Sequence, residues 1–514
     1  MKKLFHFFSL AALTQLVLML SQLILLPLQI RLWGSTTTAQ WYAALALANF
    51  TTVVDFGLRT AGHAELHKHV RSELSVSEAG EHFRQVWSWI RLLMIITTAL
   101  LVAGQAGYTI FFQHASYPLW KIAIILAYSL ETILVIRIVY LDTLGFYRGA
   151  EASYFLFAAL RLVLSVPAIL FFHFDVNGLA WLFLISAAVA TGIQGFLLCR
   201  NLNSLKLLSA PPKKLSLKVL LLSRLTVAEP FANWVRLNLP VVVISAIAPA
   251  VAVTTFVGLR AAFGAARTTI QQLSRVASVE CLRLRVAGET KQGNKLLLVF
   301  ILLASLVATA ASVAVSSDNM RLVGLWLTNV DRKLFQTVSL AFVLSAPFYA
   351  YQVPLNFMFR IGELGWIARR HYLYAVCAFV FALSAWKIGN LMAYMIMLAG
   401  SEIIHSVLLM LAGKHTATAL PGEVQSGLQF CAAGSLLAML LWWAAYSNVF
   451  DFLVRSSEFA ALETAGFAIM CSAILAGCEY AANPELVRML WPFKRKAGEM
   501  SPFPLFKLNT PKLP

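Results

Sequence analysis

Eleven basic residues of this sequence lie inside long apolar stretches, and every one of them is an arginine. Arginine keeps its charge in a low-dielectric setting and offers a planar fork of donors that suits phosphate or carboxylate, whereas a buried lysine readily loses its proton. The pattern points to anion recognition rather than proton transfer. Five of the eleven, Arg59, Arg91, Arg275, Arg369 and Arg370, fall near the ends of their stretches, where a cytoplasmic helix end can hold them in water. Depth separates Arg161, Arg236 and Arg260. Counted from the turn near residues 248–251, Arg236 and Arg260 are each roughly 15–18 Å along adjacent helices, and Arg161 is equally far from the end of its own. Arg267 follows Arg260 by seven residues and shares its helical face, with Gly264 between them.

A charge at the centre of a bilayer costs at least about 2.5–3.5 kcal/mol, so these side chains are expected to face a wet cavity or a partner. One reading is a cationic stripe, Arg161, Arg236, Arg260 and Arg267, lining a central cavity. The other is local neutralisation by the buried acids Glu131, Asp142 and Glu229. Glu131 and Glu229 are also candidates for a proton or cation site that energises movement of a substrate. Asp55 precedes Arg59 by four residues, the favourable order for an ion pair on one helix. Glu402 and His405 have the spacing of a metal pair but no second cluster to complete a coordination shell, so no metal and no cofactor is expected.

The elements that must position these residues are membrane helices. The chain has 514 residues, 60% hydrophobic and 12% charged, with mean hydropathy +0.75, whereas soluble domains are about 45–50% apolar and about 25% charged. Apolar runs of roughly 20 residues recur, the length of helix that crosses about 30 Å of hydrocarbon. Stretches such as residues 122–126 and 296–307 do not alternate, which excludes a β-barrel. The first run continues to Leu32 without a small-residue cleavage site and is expected to be a helix rather than a signal peptide. The six cysteines lack metal or redox spacing.

The expected fold is an all-α polytopic membrane protein of twelve to fourteen transmembrane helices: two six-helix lobes plus two further helices. Pro211-Pro212-Lys213-Lys214 interrupts the apolar pattern. The boundaries follow as 1–204 for the first lobe, 205–217 for a cytoplasmic linker, 218–413 for the second lobe, and 414–514 for two more helices and a basic tail. With the N-terminus inside, 23 of the 41 Lys and Arg fall in cytoplasmic loops and ends and seven outside, as the positive-inside rule asks. Topology therefore accounts for the net charge of +18 without a nucleic-acid partner. A basic inner face also attracts anionic membrane lipids.

The first helical pair resembles the polysaccharide (O-antigen type) flippases, of the superfamily that also holds MATE drug exporters and lipid II flippases. Gln22, Pro27, Leu32-Trp33-Gly34, Trp41 and Asp55-Phe56-Gly57-Leu58 follow the order usual there. Leu144-Gly145-Phe146-Tyr147 and Gly324-Leu325-Trp326 are similar to other recurrent pieces of that family, while Thr37-Thr38-Ala39-Gln40 departs from the usual Tyr-Gly. The resemblance spans residues 1–415. It implies a two-lobed alternating-access transporter, not an enzyme, in a bacterial inner membrane with both termini cytoplasmic. The implied substrate is an undecaprenyl-pyrophosphate-linked oligosaccharide destined for lipopolysaccharide or other surface polysaccharide, and a polysaccharide polymerase and chain-length machinery are the implied partners. The substrate-binding arginines are not part of the family's motifs and rest on the residue argument alone. Asn233, Asn238, Gln271 and Gln272 are candidates for sugar contacts. A proton- or sodium-coupled exporter of cationic drugs would want acids to dominate the cavity. A membrane polymerase would want a larger extracytoplasmic loop than residues 315–333.

Overall fold

The computed structural model describes residues 2–53, 58, 76–108, 119–143, 147–204, 227–286, 288–318, 327, 330–355 and 364–412, together with 433, 434, 436, 437, 439 and 440. Every regular element among them is a helix. In hydrocarbon, backbone N–H and C=O groups must be satisfied within the segment, and the helix does this for an apolar run of any sequence. Nine helical stretches among the described residues are long and apolar enough to cross a membrane. Large apolar side chains such as Ile95, Leu100, Phe196, Val376 and Trp386 are more than half exposed. Acyl chains are their solvent. The chain is an all-α polytopic membrane protein.

Chain order runs α1 (Lys2–Ala48), a 3-10 turn (Asn49–Val53), α2 (Val76–Tyr108), α3 (Leu119–Thr143), α4 (Tyr147–Leu170) and α5 (Val176–Ser204). It continues with α6 (Ala228–Leu237), α7 (Leu239–Ile247), α8 (Ala250–Val286), α9 (Thr290–Asp318), α10 (Arg332–Ser345), a second 3-10 turn (Ala346–Tyr351), α11 (Leu364–Ile388) and α12 (Leu391–Ala412). Helices α3, α4 and α5 pack on one another, as do α8, α9 and α10 and, beside them, α11 and α12. The long α1 touches both groups, packing against α4 on one side and against α7 and α8 on the other.

Two breaks in these helices shape the site. Gly34, at φ 77 and ψ 164, divides α1 into two arms without a connecting loop. Only glycine adopts that backbone freely. The helical run from Ala228 to Ile247 is interrupted at Asn238: Val241 N–H donates to Asn238 O at 3.1 Å, and Pro240 has no N–H to give. The turn leaves the Leu237 carbonyl without its helical donor, and Arg260 takes that role through Nη1.

The end of α1 and the 3-10 turn after it also touch α6 and the break that follows it. Trp234 Nε1 donates to Ala46 O at 3.0 Å, and its ring meets Phe50 edge-on at 5.1 Å between centroids. Asn49 Nδ2 lies 3.5 Å from Asn238 Oδ1.

Candidate functional site

A cavity of about 630 Å³ lies between the two groups, walled by α1, α3, α4 and α5 on one side and by α6 and α8 on the other. Arg161, Arg260 and Arg267 line it, with the acids Glu131 and Glu229. The amides of Gln22, Gln29, Asn49, Asn233, Asn238 and Gln271 and the hydroxyls of Tyr42, Tyr128 and Tyr154 supply donors and acceptors between the charges. The chemistry of such a wall suits an anion carrying polar groups, since guanidinium forks can bind phosphate oxygens in pairs while amides and hydroxyls exchange hydrogen bonds with alcohols.

On the wall formed by α3, α4 and α5, Arg161 Nη1 is 3.7 Å from Glu131 Oε2. Its guanidinium lies 4.0 Å from the Phe183 ring centroid and 5.8 Å from that of Tyr128. Charge and ring faces hold it together. On the opposite wall, Arg260 donates to the Leu237 carbonyl, and Arg267 Nη2 donates to Asn233 Oδ1 at 3.4 Å. Both of these hydrogen-bond partners are neutral. Glu229 lines the same space and sits in the first turn of α6.

Arg236 lies elsewhere. It is absent from the lining of the large cavity and borders a smaller one of about 50 Å³, which it shares with Ser345, Tyr349 and Glu402. There it donates to Tyr351 Oη and Asn233 Oδ1, and Nη1 is 3.9 Å from Glu402 Oε2. The acid beside Arg236 is therefore Glu402 of α12. Asp55, Arg59 and the side chains of Gln272 and Arg275 lie outside the described residues. Arg137 donates to Thr191 O at 2.7 Å and lies over Trp87, ties that join α3 to α5 and α2.

Sequence reasoning missed the surroundings of Glu402. Tyr374 donates to Glu402 Oε1 at 2.5 Å, and His405 lies one turn further along α12 with Tyr374, Tyr351 and His371 around its ring. The signal was present twice, in the i, i+3 pairs Glu402/His405 and His371/Tyr374, but only the packing of α11 on α12 joins them. Among the described residues, no group of three or more His, Cys, Asp or Glu could hold a metal ion.

No protein-family profile matches the sequence, and no curated protein matches it. Among solved structures, the chain is similar to the lipid II flippase MurJ in an inward closed conformation, with a TM-score of 0.64 over 93% of this chain and 99% of that one, at 12% identity. The two proteins share one fold. Inward-facing and outward-facing structures of a multidrug resistance MATE transporter also align, each over 83% of this chain with a TM-score of 0.49, at 13% and 14% identity.

Proposed function

We propose that the protein is a flippase that carries an undecaprenyl-pyrophosphate-linked oligosaccharide across a bacterial inner membrane by alternating access, for surface polysaccharide synthesis. One observation carries the reading: the central cavity holds three permanently charged arginines, two of them on neutral partners, among amides and hydroxyls. A pyrophosphate crossing hydrocarbon needs cations that do not deprotonate, the glycan needs exchangeable hydrogen bonds, and the polyprenyl tail can stay in lipid. The fold shared with a lipid II flippase is consistent with this cargo class. A polysaccharide polymerase and its chain-length machinery would then consume the product. An exporter of cationic drugs fits less well, because three arginines face two acids in the cavity and one acid, Glu131, is already paired with Arg161.

The test is deletion of the gene followed by labelling of lipid-linked sugars. Accumulation of a lipid-linked oligosaccharide in a leaflet that a periplasmic glycosidase cannot reach, reversed by the wild-type gene and not by Arg260→Ala, is the expected result. Unchanged lipid-linked sugars with heightened sensitivity to cationic dyes would replace this reading with the exporter.

A further inference from the structure

Behind the arginine wall lies a polar cluster that anion binding alone does not explain. Glu402, His405 and His371 are each at most 5% exposed. Glu402 Oε2 and all four ring nitrogens of the two histidines are buried without a hydrogen-bond partner. Buried polar groups are normally satisfied, and so many orphans in one place point to something that comes and goes. The histidine rings are 5.0 Å apart, and Tyr374 closes on His405 at 4.2 Å between centroids.

The cluster has a route to the transport cavity. Leu237, Arg260, Gly264 and Arg267 border both the large cavity and the small one against Glu402. Nothing lies within 4 Å of where a Cβ on Gly264 would stand, so the wall is open there. The small cavity, about 50 Å³, has room for water. Arg236 forms a second link: it and Arg267 both donate to Asn233 Oδ1, which faces the large cavity.

We propose that Glu402, backed by His405 and His371, is a proton-binding site that loads when an anion occupies the central cavity. The groups facing it are Arg236 from α6, Arg267 and Arg260 from α8, Tyr349 and Tyr351 from the second 3-10 turn, and His371 and Tyr374 from α11. Arg236 and Glu402 are together neutral, so a proton arriving alone adds an uncompensated buried charge. An anion in the cavity supplies the compensation by drawing Arg236 toward itself, and the carboxylate left behind takes a proton on Oε2. No bond other than that O–H forms. A metal or alkali cation suits the place less, because a guanidinium already stands beside its one carboxylate. By linkage the proton strengthens anion binding as much as the anion strengthens proton binding.

The inference rests on the anion-binding reading of the large cavity, and its test separates the two. Inorganic pyrophosphate is titrated into the purified full-length protein in lipid nanodiscs, with binding followed calorimetrically against pH and protonation by infrared difference spectroscopy. Pyrophosphate has no carbonyl and lipid esters have no exchangeable proton, so a band that grows on binding and shifts in deuterium oxide belongs to a carboxyl of the protein. The expected result is such a band in wild type and its loss in Glu402→Gln. Wild-type affinity should also rise by up to about tenfold more per pH unit of acidification than that of the variant. Should Glu402→Gln fail to fold, Tyr374→Phe keeps the carboxylate, removes its hydrogen bond and should shift the band. Pyrophosphate binding with no carboxyl band and one pH dependence in both proteins overturns the proton site while leaving the cavity intact. Binding that depends on sodium and not on pH overturns it too. Failure of wild type to bind pyrophosphate removes the cavity reading, and the proton site with it.

Discussion

The two walls of the cavity carry the same residue type in opposite circumstances. Arg161, on α4, is neutralised by Glu131 and clasped by the Phe183 and Tyr128 rings. Arg260 and Arg267, on α8, rest on a backbone carbonyl and an amide oxygen. A guanidinium with an acid partner has spent its field locally, while one held by neutral dipoles is oriented and still attracts. In the function proposed above, the wall built on α8 is the one that receives the anion. The opposite wall orders the helices around it and presents hydroxyls and aromatic faces.

The largest expected effect separates these roles. Arg260→Ala removes a charge whose partner is only a carbonyl, so the fold loses little and the anion loses a charge-assisted contact worth about 1.5–3 kcal/mol. That corresponds to about a ten- to a hundredfold loss in pyrophosphate affinity, with a comparable loss of transport measured by accumulation of lipid-linked sugar. Arg260→Lys should recover part of it, because charge returns without the fork. Full activity in both variants would erase the distinction between the walls.

Arg161→Ala should reverse the pattern. It strands Glu131 in a site where both partners are largely buried, at 15% and 19% side-chain exposure. Removing one member of a buried pair harms more than removing both. The single variant should melt below wild type by the equivalent of roughly 1–3 kcal/mol, discounted for that residual exposure. Arg161→Met with Glu131→Gln should regain most of the loss. Thermal unfolding in detergent reads this directly, and a single variant as stable as the double one would break the assignment of Arg161 as a structural cation.

How far these differences could be read in the sequence follows from their physical origin. Helices and their approximate limits follow from apolar run length, because the bilayer tests each segment by itself. The depths of Arg161, Arg260 and Arg267 follow likewise from counting residues. The position of Arg236 does not. It depends on rotation about the axis of α6, which the count of residues from the membrane surface does not fix; Pro240 marks a break near Asn238 but not which way Arg236 faces. The acid facing Arg236 comes from α12, 166 residues later, and no local spacing relates the two. Gly34 is the contrary case: the first apolar run ends at Leu32, beside it, and its positive φ shows that the chain turns there without a connecting loop.

Where the walls meet, Trp234 and Phe50 join the two groups of helices and Trp234 Nε1 reaches the Ala46 carbonyl. Alternating access requires such contacts to form in one state and break in another. Trp234→Phe removes the hydrogen bond and keeps most of the ring area, a change of about 1 kcal/mol. In a population poised between states, that is about fivefold in the equilibrium constant. Labels placed on α5 and α11 should report a shifted distance distribution by electron spin resonance. An unchanged distribution would mean that the contact survives in every state and belongs to the walls, not to the motion between them.

The smallest effect supplies the baseline for a charge that has water available. Asp175, between α4 and α5, accepts from Gly178 N at 2.9 Å and from Asn177 Nδ2 at 3.0 Å. The Gly178 backbone N–H, and after it Asn177, hold its carboxyl below the usual carboxylate range. A carboxyl lowered in the folded state stabilises the fold above its ordinary pKa, and that contribution fades as pH falls through the lowered value. Asp175→Ala should therefore cost about 1 kcal/mol at neutral pH, the usual worth of an N-terminal cap, and less in acid. Asp175→Asn keeps a capping oxygen without the titration, so it should be nearly as stable as wild type at neutral pH and show less loss on acidification. Cavity arginines behave otherwise, because a guanidinium does not titrate in this range. If the deficits of Asp175→Ala and Arg161→Ala relative to wild type shrank in parallel as pH fell, the cavity charges would be exchanging protons with solvent as the loop acid does, and the contrast between the walls would reduce to one of depth.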